Sequence, residues 1–164
     1  MKTIYFIRHA KSSWDDVSLA DHDRPLNARG KRDAPAMARR LAGFDVSPDG
    51  ILSSTAKRTK QTLKNFREAL GVPKEKVILN PDLYLASARG IAQAIRELPA
   101  EWDTVLLFGH NPGYTDLANL IPGPAIENVP TCGIVGCRSD IGSWEDFRYK
   151  RARRLCFLYP KQVL

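Results

Sequence analysis

Two histidines occupy equivalent positions in the chain. The pairs Arg8-His9 and Gly109-His110 each directly follow a short apolar run. A neutral imidazole can attack an electrophile or exchange a proton near neutral pH. A neighbouring guanidinium offers paired donors that match the oxygens of a phosphate group. Either histidine alone could be an ordinary loop residue, but together with Arg8 they indicate a site for an anionic group.

Arg58 is a further candidate for the same site. It lies in Ser53-Ser54-Thr55-Ala56-Lys57-Arg58, where an apolar run changes into an amphipathic stretch. This change predicts the end of a strand and the start of a helix. In open α/β sheets, ligands bind where the carboxyl ends of strands meet the amino ends of helices. We therefore expect Arg58 near both histidines; the alternative is a surface arginine on a helix.

The elements that must position these residues are predicted from periodicity. Short apolar runs at 3–7, 50–53, 76–79 and 104–109 alternate with longer amphipathic stretches at 28–42, 58–70, 88–98 and 113–121. This alternation is typical of an α/β domain with a mostly parallel sheet. The run at 104–109 is apolar almost throughout, which predicts a central strand covered by helices on both faces.

The chain changes character after residue 122. Pro and Gly residues are followed by two β-like runs at 132–138 and 153–159, with turn-forming residues at 139–143 between them. These predict a C-terminal hairpin at one edge of the sheet. The irregular segment 11–27 is long for a loop and is a candidate functional segment. With 164 residues, we expect a single domain spanning 1–164.

The composition argues against several classes of protein. Three cysteines occur without a C-x-x-C pair, so neither a disulfide framework nor a structural metal site is expected. The N-terminus lacks the features of a signal peptide, and no run approaches the ~20 apolar residues of a membrane span. We therefore expect a cytoplasmic protein that does not act at a membrane.

The net charge is +7, and the densest cluster of basic residues lies near the C-terminus. We interpret this cluster first as a solvated face and otherwise as a site for an acidic protein or substrate. Dedicated nucleic-acid binding is not expected, although clustered cations can serve that purpose. The basic residues of the cluster are Arg148, Lys150, Arg151, Arg153 and Arg154.

Four motifs together resemble a known family. They are Arg8-His9-Ala10-Lys11-Ser12, Arg24-Pro25-Leu26 followed by Arg29-Gly30, Arg58 with Gln61-Thr62, and Gly109-His110-Asn111-Pro112. The chain resembles the histidine phosphatase superfamily and, within it, the small SixA-like phosphohistidine phosphatases. The resemblance reaches Thr131-Cys132-Gly133-Ile134 and so covers nearly the whole chain. Ala10 replaces the usual glycine, but Arg-His-Ala-Lys is common in the SixA-like branch.

The resemblance implies a fold and a mechanism. The fold is a three-layer α/β/α, phosphoglycerate mutase-like domain. His9 is the implied nucleophile, which passes a phosphoryl group through a phosphohistidine intermediate to water. Arg8, Arg58 and His110 are the implied phosphate-binding and catalytic residues, Arg24 adds a further phosphate contact, and Asp82 is the candidate proton donor. No cofactor or metal is implied.

The substrate is the main question that remains open. We expect a monomer that removes phosphate from phosphohistidine in a partner protein, because no insertion caps the catalytic edge. The alternatives are a phosphomonoesterase for a small metabolite or nucleotide and, from another class, a non-catalytic module that binds anions or nucleic acid.

Two further expectations concern residues outside the motifs. In Asp21-His22-Asp23 we expect the carboxylates to contact only solvent and His22 to lie outside the site. The alternative for Asp82 is a turn residue after Pro81. Trp14, Trp102 and Trp144 are predicted to be packing residues.

Overall fold

A six-stranded sheet forms the middle of the protein. The structure is a computed structural model that describes residues 1–163. The strand order is β3-β2-β4-β1-β5-β6. The strands are β1 (Lys2–Arg8), β2 (Gly50–Ser53), β3 (Val77–Leu79), β4 (Thr104–Gly109), β5 (Ile134–Ser139) and β6 (Arg153–Leu158).

The four strands from β1 to β4 are parallel, as predicted. β4 lies between β2 and β1, and its register places Gly109 opposite Arg8. Its side chains are buried from Val105 onward, which confirms the prediction of a central strand. The residues that follow β1 and β4 therefore emerge side by side at the carboxyl edge of the sheet.

Helices cover both faces of the sheet. They are α1 (Ala28–Ala42), α2 (Lys57–Leu70), α3 (Ala88–Arg96), α4 (Gly113–Leu120) and the short α5 (Pro160–Val163). Successive residues of β1 point to opposite layers: Phe6 packs with Ile91 of α3, and Ile7 packs in the cluster that holds Met37 of α1 and Phe66 of α2. This arrangement confirms the three-layer α/β/α prediction. In residues 1–163 no helix is long and apolar enough to span a membrane.

The C-terminal strand pair confirms the predicted hairpin and has a long connection between its strands. β5 pairs antiparallel with β1 and β6, so the pair lies at the edge of the sheet as expected. The connection continues beyond the turn-forming residues 139–143 and extends over 140–152 through two 3₁₀ turns. These turns bury Trp144, Phe147 and Tyr149 in the same core layer as α3. Burial of the three aromatic side chains explains why the chain does not turn back at once.

The segment 11–27 is a loop with a closed base. A bridge joins Ser12 to Leu26, and the backbone N–H of Asn27 donates to Lys11 O over 3.0 Å. A Cβ added to Gly30 would lie 2.2 Å from that same Lys11 oxygen. The loop base therefore packs directly on the first turn of α1, which holds the loop beside the carboxyl edge of the sheet.

Candidate active site

Both predicted histidines lie in one cavity at the carboxyl edge of the sheet. His9 follows β1 and His110 follows β4, and their ring centroids are 5.2 Å apart. The cavity has a volume of about 220 Å³, and Arg8, Arg24 and Arg58 also line it. Lys11, Ser12, Trp14, Leu85, Asn111 and Thr131 complete its lining. The structure thus brings together every predicted site residue except Asp82.

The contacts of His9 fix which ring nitrogen carries the proton. Nδ1 lies 2.8 Å from the carbonyl oxygen of Ala10, which can only accept a hydrogen bond. Nε2 lies 3.3 Å from Nε of Arg58, and a guanidinium can only donate. The proton is therefore on Nδ1, and the lone pair of Nε2 accepts the hydrogen bond from Arg58, which lines the cavity together with His9.

The surroundings of His9 also keep the ring neutral. Burial lowers the pKa of His9 from 6.5 to about 3, against the hydrogen bond to Ala10, which favours the protonated form. The neighbouring His110 ring and the charges of Arg58 and Arg8 contribute to this lowering. At neutral pH, Nε2 is thus an unprotonated nucleophile.

His110 is neutral for similar reasons but in the other tautomer. Its Nε2 lies 2.7 Å from Oγ of Ser54, and its Nδ1 lies 3.5 Å from Nη2 of Arg58. Because Arg58 can only donate, the proton of His110 is on Nε2. Burial and the charge of Arg58 lower the pKa of His110 to about 3, although Asp21 opposes this shift.

Arg58 connects both histidines with the loop 11–27. It is the second residue of α2 and is almost completely buried. Besides its contacts with the two imidazoles, its Nη1 donates to Asp21 O over 2.7 Å and its Nη2 donates to Asp21 Oδ2 over 3.0 Å. A buried guanidinium needs such partners, since an unpaired buried charge is costly.

Arg8 retains donor capacity that no group in residues 1–163 uses. Its Nη1 donates to Val129 O over 2.9 Å, whereas its buried Nε has no hydrogen-bond partner in residues 1–163. Burial and the charge of Arg58 lower the pKa of Arg8. This cation lines the cavity and can donate hydrogen bonds to an anion placed there.

Arg24 lines the cavity but is held firmly by its neighbours. It forms an ion pair with Asp21 at 2.7 Å, donates to Ser13 O over 3.0 Å and also donates to Ser12 Oγ. Its guanidinium lies 3.3 Å from the centre of the Trp14 ring. The sequence predicted that all three tryptophans are packing residues. This prediction is wrong for Trp14, which is 67% exposed, and is confirmed for the buried Trp102 and Trp144.

The comparisons with known proteins decide the family. Residues 4–84 match the histidine phosphatase superfamily (branch 1). Over 141 residues the chain is 30% identical to phosphohistidine phosphatase SixA of Escherichia coli, covering 84% of this chain and 85% of that protein. The chain belongs to the histidine phosphatase superfamily. It is a histidine-based phosphatase of the SixA-like branch.

Further relatives of this histidine phosphatase support the same placement. It is 33% identical to an uncharacterised chloroplastic protein of Arabidopsis thaliana over 153 residues, covering 88% of this chain and 70% of that protein. Its structure is similar to that of a SixA-type protein of Agrobacterium tumefaciens, with a TM-score of 0.82 and 29% identity over 97% of this chain and 98% of the other. The fold is thus phosphoglycerate mutase-like, as the sequence motifs implied.

Asp82 is the predicted site residue that the histidine phosphatase fold leaves outside the cavity. It is exposed in a 3₁₀ turn, where its backbone N–H donates to Oδ1 of Asn80 over 2.9 Å. Asp82 does not line the cavity. The contacts fit the alternative role of a turn residue after Pro81 and give no support to Asp82 as a proton donor.

Asp21 is a site residue that the sequence analysis missed. Its carboxylate was expected to contact only solvent, but it pairs with Arg24 and Arg58 and accepts a short hydrogen bond from the hydroxyl of Tyr84. Partial burial raises the pKa of Asp21, but the hydrogen bonds from Tyr84, Arg24 and Arg58 outweigh this effect. They hold the pKa of Asp21 well below its usual range. The i,i+3 spacing of Asp21 and Arg24 was the available sequence signal.

The remaining prediction for this segment concerned His22, which indeed does not line the cavity. Its Nε2 lies 2.8 Å from Oγ1 of Thr55. In residues 1–163 no group of three or more His, Cys, Asp or Glu side chains is arranged to hold a metal ion.

Proposed function

We propose that this phosphatase hydrolyses phosphohistidine in a partner protein, with His9 as the nucleophile. The observation that carries this proposal is the neutral His9 ring in the lining of the cavity, whose unprotonated Nε2 accepts a hydrogen bond from Arg58. In the first step Nε2 forms a bond to phosphorus while the bond to the substrate imidazole nitrogen breaks. The leaving nitrogen takes its proton from solvent.

The second step returns the enzyme to its starting state. A water oxygen bonds to phosphorus, the bond from phosphorus to Nε2 breaks, and the water proton passes to solvent. Between the steps the phosphorylated His9 ring still carries the proton on Nδ1, and the carbonyl of Ala10 accepts it in a hydrogen bond. This acceptor stabilises the positive ring of the intermediate.

Electrostatic stabilisation of the transferring group comes from the residues around Nε2. Arg8, whose buried Nε has no partner within residues 1–163, and Arg58 both line the cavity and place positive charge next to the phosphoryl oxygens, and His110 lies across from His9. Arg24, whose donors are already engaged, contributes positive charge at the cavity wall. Preorganised charge of this kind supplies most of the catalysis in phosphoryl transfer.

The lining of the cavity favours phosphohistidine over a phosphate ester. In residues 1–163 no Asp or Glu side chain lines the cavity. Cleavage of an ester must protonate an alkoxide, so it depends on an acid more than departure of an imidazole does. The volume of about 220 Å³ is below the roughly 300–1,000 Å³ of small-molecule pockets. It suits a single phosphorylated side chain.

The rim of the cavity supports a protein as the substrate. Trp14 and Leu85 both line the cavity and are more than half exposed. Exposed apolar side chains around a polar site are typical of protein-binding surfaces. The similar SixA of Escherichia coli is a phosphohistidine phosphatase by name, which agrees with this choice over the small-metabolite alternative.

The deciding experiment compares leaving groups and traps the intermediate. Wild type is given a phosphohistidine peptide, the same peptide with phosphoserine, and a panel of phosphorylated metabolites, all with and without EDTA. We expect fast hydrolysis of phosphohistidine that survives EDTA and an acid-labile phosphoenzyme that is absent from His9→Ala. Faster turnover of phosphoserine or a metabolite would contradict the substrate assignment. Formation of a phosphoenzyme by His9→Ala would contradict the assignment of His9 as the nucleophile.

We further infer that the chain acts as one domain, as a monomer and in the cytoplasm. The two core clusters lie on opposite faces of one continuous sheet, which supports one domain. Cys132, Cys137 and Cys156 are free thiols, as in a reducing compartment. Light scattering of the purified protein at micromolar concentration tests the monomer.

A further inference from the structure

A second cavity, separate from the catalytic one, lies on the α3 side of the protein. It is a groove of about 1000 Å³ between α3, the end of α4 and the connection from β5 to β6. Five cations and two carboxylates line it. The cations are Arg89, Arg96, Arg148, Lys150 and Arg151, and the carboxylates are Asp140 and Asp146.

The cations of this basic groove form no ion pairs within residues 1–163. None of the five cations has a carboxylate oxygen within 4.0 Å in the part of the chain that the structure describes. Arg96 and Arg148 donate to the carbonyl oxygen of Phe147, which leaves their charge in place. The groove therefore attracts an anionic partner.

The basic groove begins close to the catalytic cavity. Arg89, in the first turn of α3, follows Leu85 by four positions, and Leu85 lines the catalytic cavity. Four residues span at most about 14 Å even when fully extended. A protein whose phosphorylated side chain enters the cavity thus has neighbouring surface within reach of the groove.

The floor of the groove favours a protein segment over a nucleic acid. Ala92, Leu120 and Ile141 supply apolar surface between the cations. Tyr149, the aromatic residue in the lining, is buried and donates its hydroxyl to Ala88 O over 2.7 Å, so its ring is not free to stack on a base. Mixed apolar and basic lining matches an acidic segment that also carries apolar side chains.

We propose that the basic groove is a docking site for an acidic segment of the phosphorylated protein substrate. This inference rests on the proposed phosphohistidine phosphatase activity. Docking lowers KM without changing the chemical step, because the groove residues do not contact the transferring phosphoryl group. Its electrostatic part weakens as salt rises.

The test compares two phosphohistidine peptides that differ only in an acidic, partly apolar tail. The groove variant is Arg89→Glu/Lys150→Glu/Arg151→Glu, and the matched control is Lys60→Glu/Lys64→Glu/Lys74→Glu, on exposed residues of the α2 side. We expect the groove variant to raise KM for the tailed peptide about tenfold, since exposed charge pairs each contribute a few-fold at most. The tail-less peptide and the control variant should keep the wild-type KM.

Each other outcome has a defined meaning. An equal rise in KM for the control variant would overturn the docking site. An equal rise in KM for both peptides with the groove variant would also overturn it. So would equal KM values of the wild-type enzyme for the tailed and the tail-less peptide. Anisotropy with the unphosphorylated tail measures binding without catalysis. If the wild-type enzyme hydrolysed neither peptide, the proposed function would be contradicted. The anisotropy measurement would then still show whether the tail binds to the groove. Tighter, groove-dependent binding of a single-stranded RNA than of the tail would overturn the choice of a protein segment.

The charge reversals require a control for folding. The milder Arg89→Gln/Lys150→Gln/Arg151→Gln variant removes charge without adding carboxylates. It should show a smaller rise in KM in the same direction. Unchanged KM in this variant, at wild-type circular dichroism, would contradict the electrostatic role of the groove.

Discussion

Nε of Arg58 lies 3.3 Å from Nε2 of His9, the nitrogen that carries no proton. The same guanidinium donates to the backbone and to the carboxylate of Asp21. One arginine thus sets the tautomer of the nucleophile and fixes the loop 11–27 beside it.

Arg58→Lys should impair formation of the phosphoenzyme. Lysine is a point charge and cannot reproduce the planar set of donors that reaches His9, His110 and Asp21 together. We expect the rate of phosphoenzyme formation to fall about 10²–10³-fold, as for loss of a single oriented donor in a transition state. Rapid-quench labelling measures this rate. The neighbouring exposed Lys57→Arg is the control, and wild-type rates in Arg58→Lys would contradict the role of the guanidinium.

Asp21→Asn should lower kcat more than it changes KM. The variant removes the charge that holds Arg58 and Arg24 but keeps the volume of the side chain. We expect about a tenfold loss in kcat, because a half-exposed charged hydrogen bond contributes about 1–2 kcal/mol. Steady-state kinetics on a phosphohistidine peptide measures the loss. Asp23→Asn, whose carboxylate contacts His22 at 3.6 Å, is the matched control and should retain wild-type kcat.

Both site histidines should remain neutral in mildly acidic solution. Burial lowers the pKa of His9 and of His110 from 6.5 to about 3. We expect the ¹⁵N shifts of both rings to keep their neutral values from pH 7 to pH 5, with the proton on Nδ1 of His9 and on Nε2 of His110. A titration midpoint near 6.5 for His9 would contradict the structure.

The same pKa shifts make stability depend on pH. Because both folded-state pKa values lie below the unfolded value, the unfolded chain binds more protons as pH falls below about 6.5, and stability decreases. Each histidine contributes a slope of about 1.4 kcal/mol per pH unit in that range. Urea denaturation at pH 7, 6 and 5 measures the slope. His110→Asn should show a shallower slope than wild type, and equal slopes would refute the linkage.

Gly30→Ala should destabilise the base of the loop 11–27. The added Cβ would lie 2.2 Å from the carbonyl oxygen of Lys11, so the backbone must shift. We expect a loss of about 1–3 kcal/mol in the free energy of unfolding, as for other overpacked sites. Chemical denaturation measures the loss. Gly142→Ala is the control, since nothing lies within 4 Å of its added Cβ, and equal stability of the two variants would contradict the prediction.

The sequence by itself determined the order and type of the elements that support the site. Alternation of apolar runs with amphipathic stretches gave four parallel strands and four helices close to their observed bounds. It also placed His9 and His110 after strands, and parallel strands share one carboxyl edge. These inferences succeed because periodicity is a local property, which burial on one or two faces imposes on each element.

Only the tertiary structure decided which side chains complete the site. The pairing of β1 with β4 puts the two histidines side by side, and the closed loop 11–27 brings Asp21 onto Arg58. Asp82 remains in its exposed turn, and buried aromatic side chains extend the connection from β5 to β6. Contacts of this kind join residues that are distant in sequence. They depend on strand order and on the partners that buried charges require, and no local pattern records either.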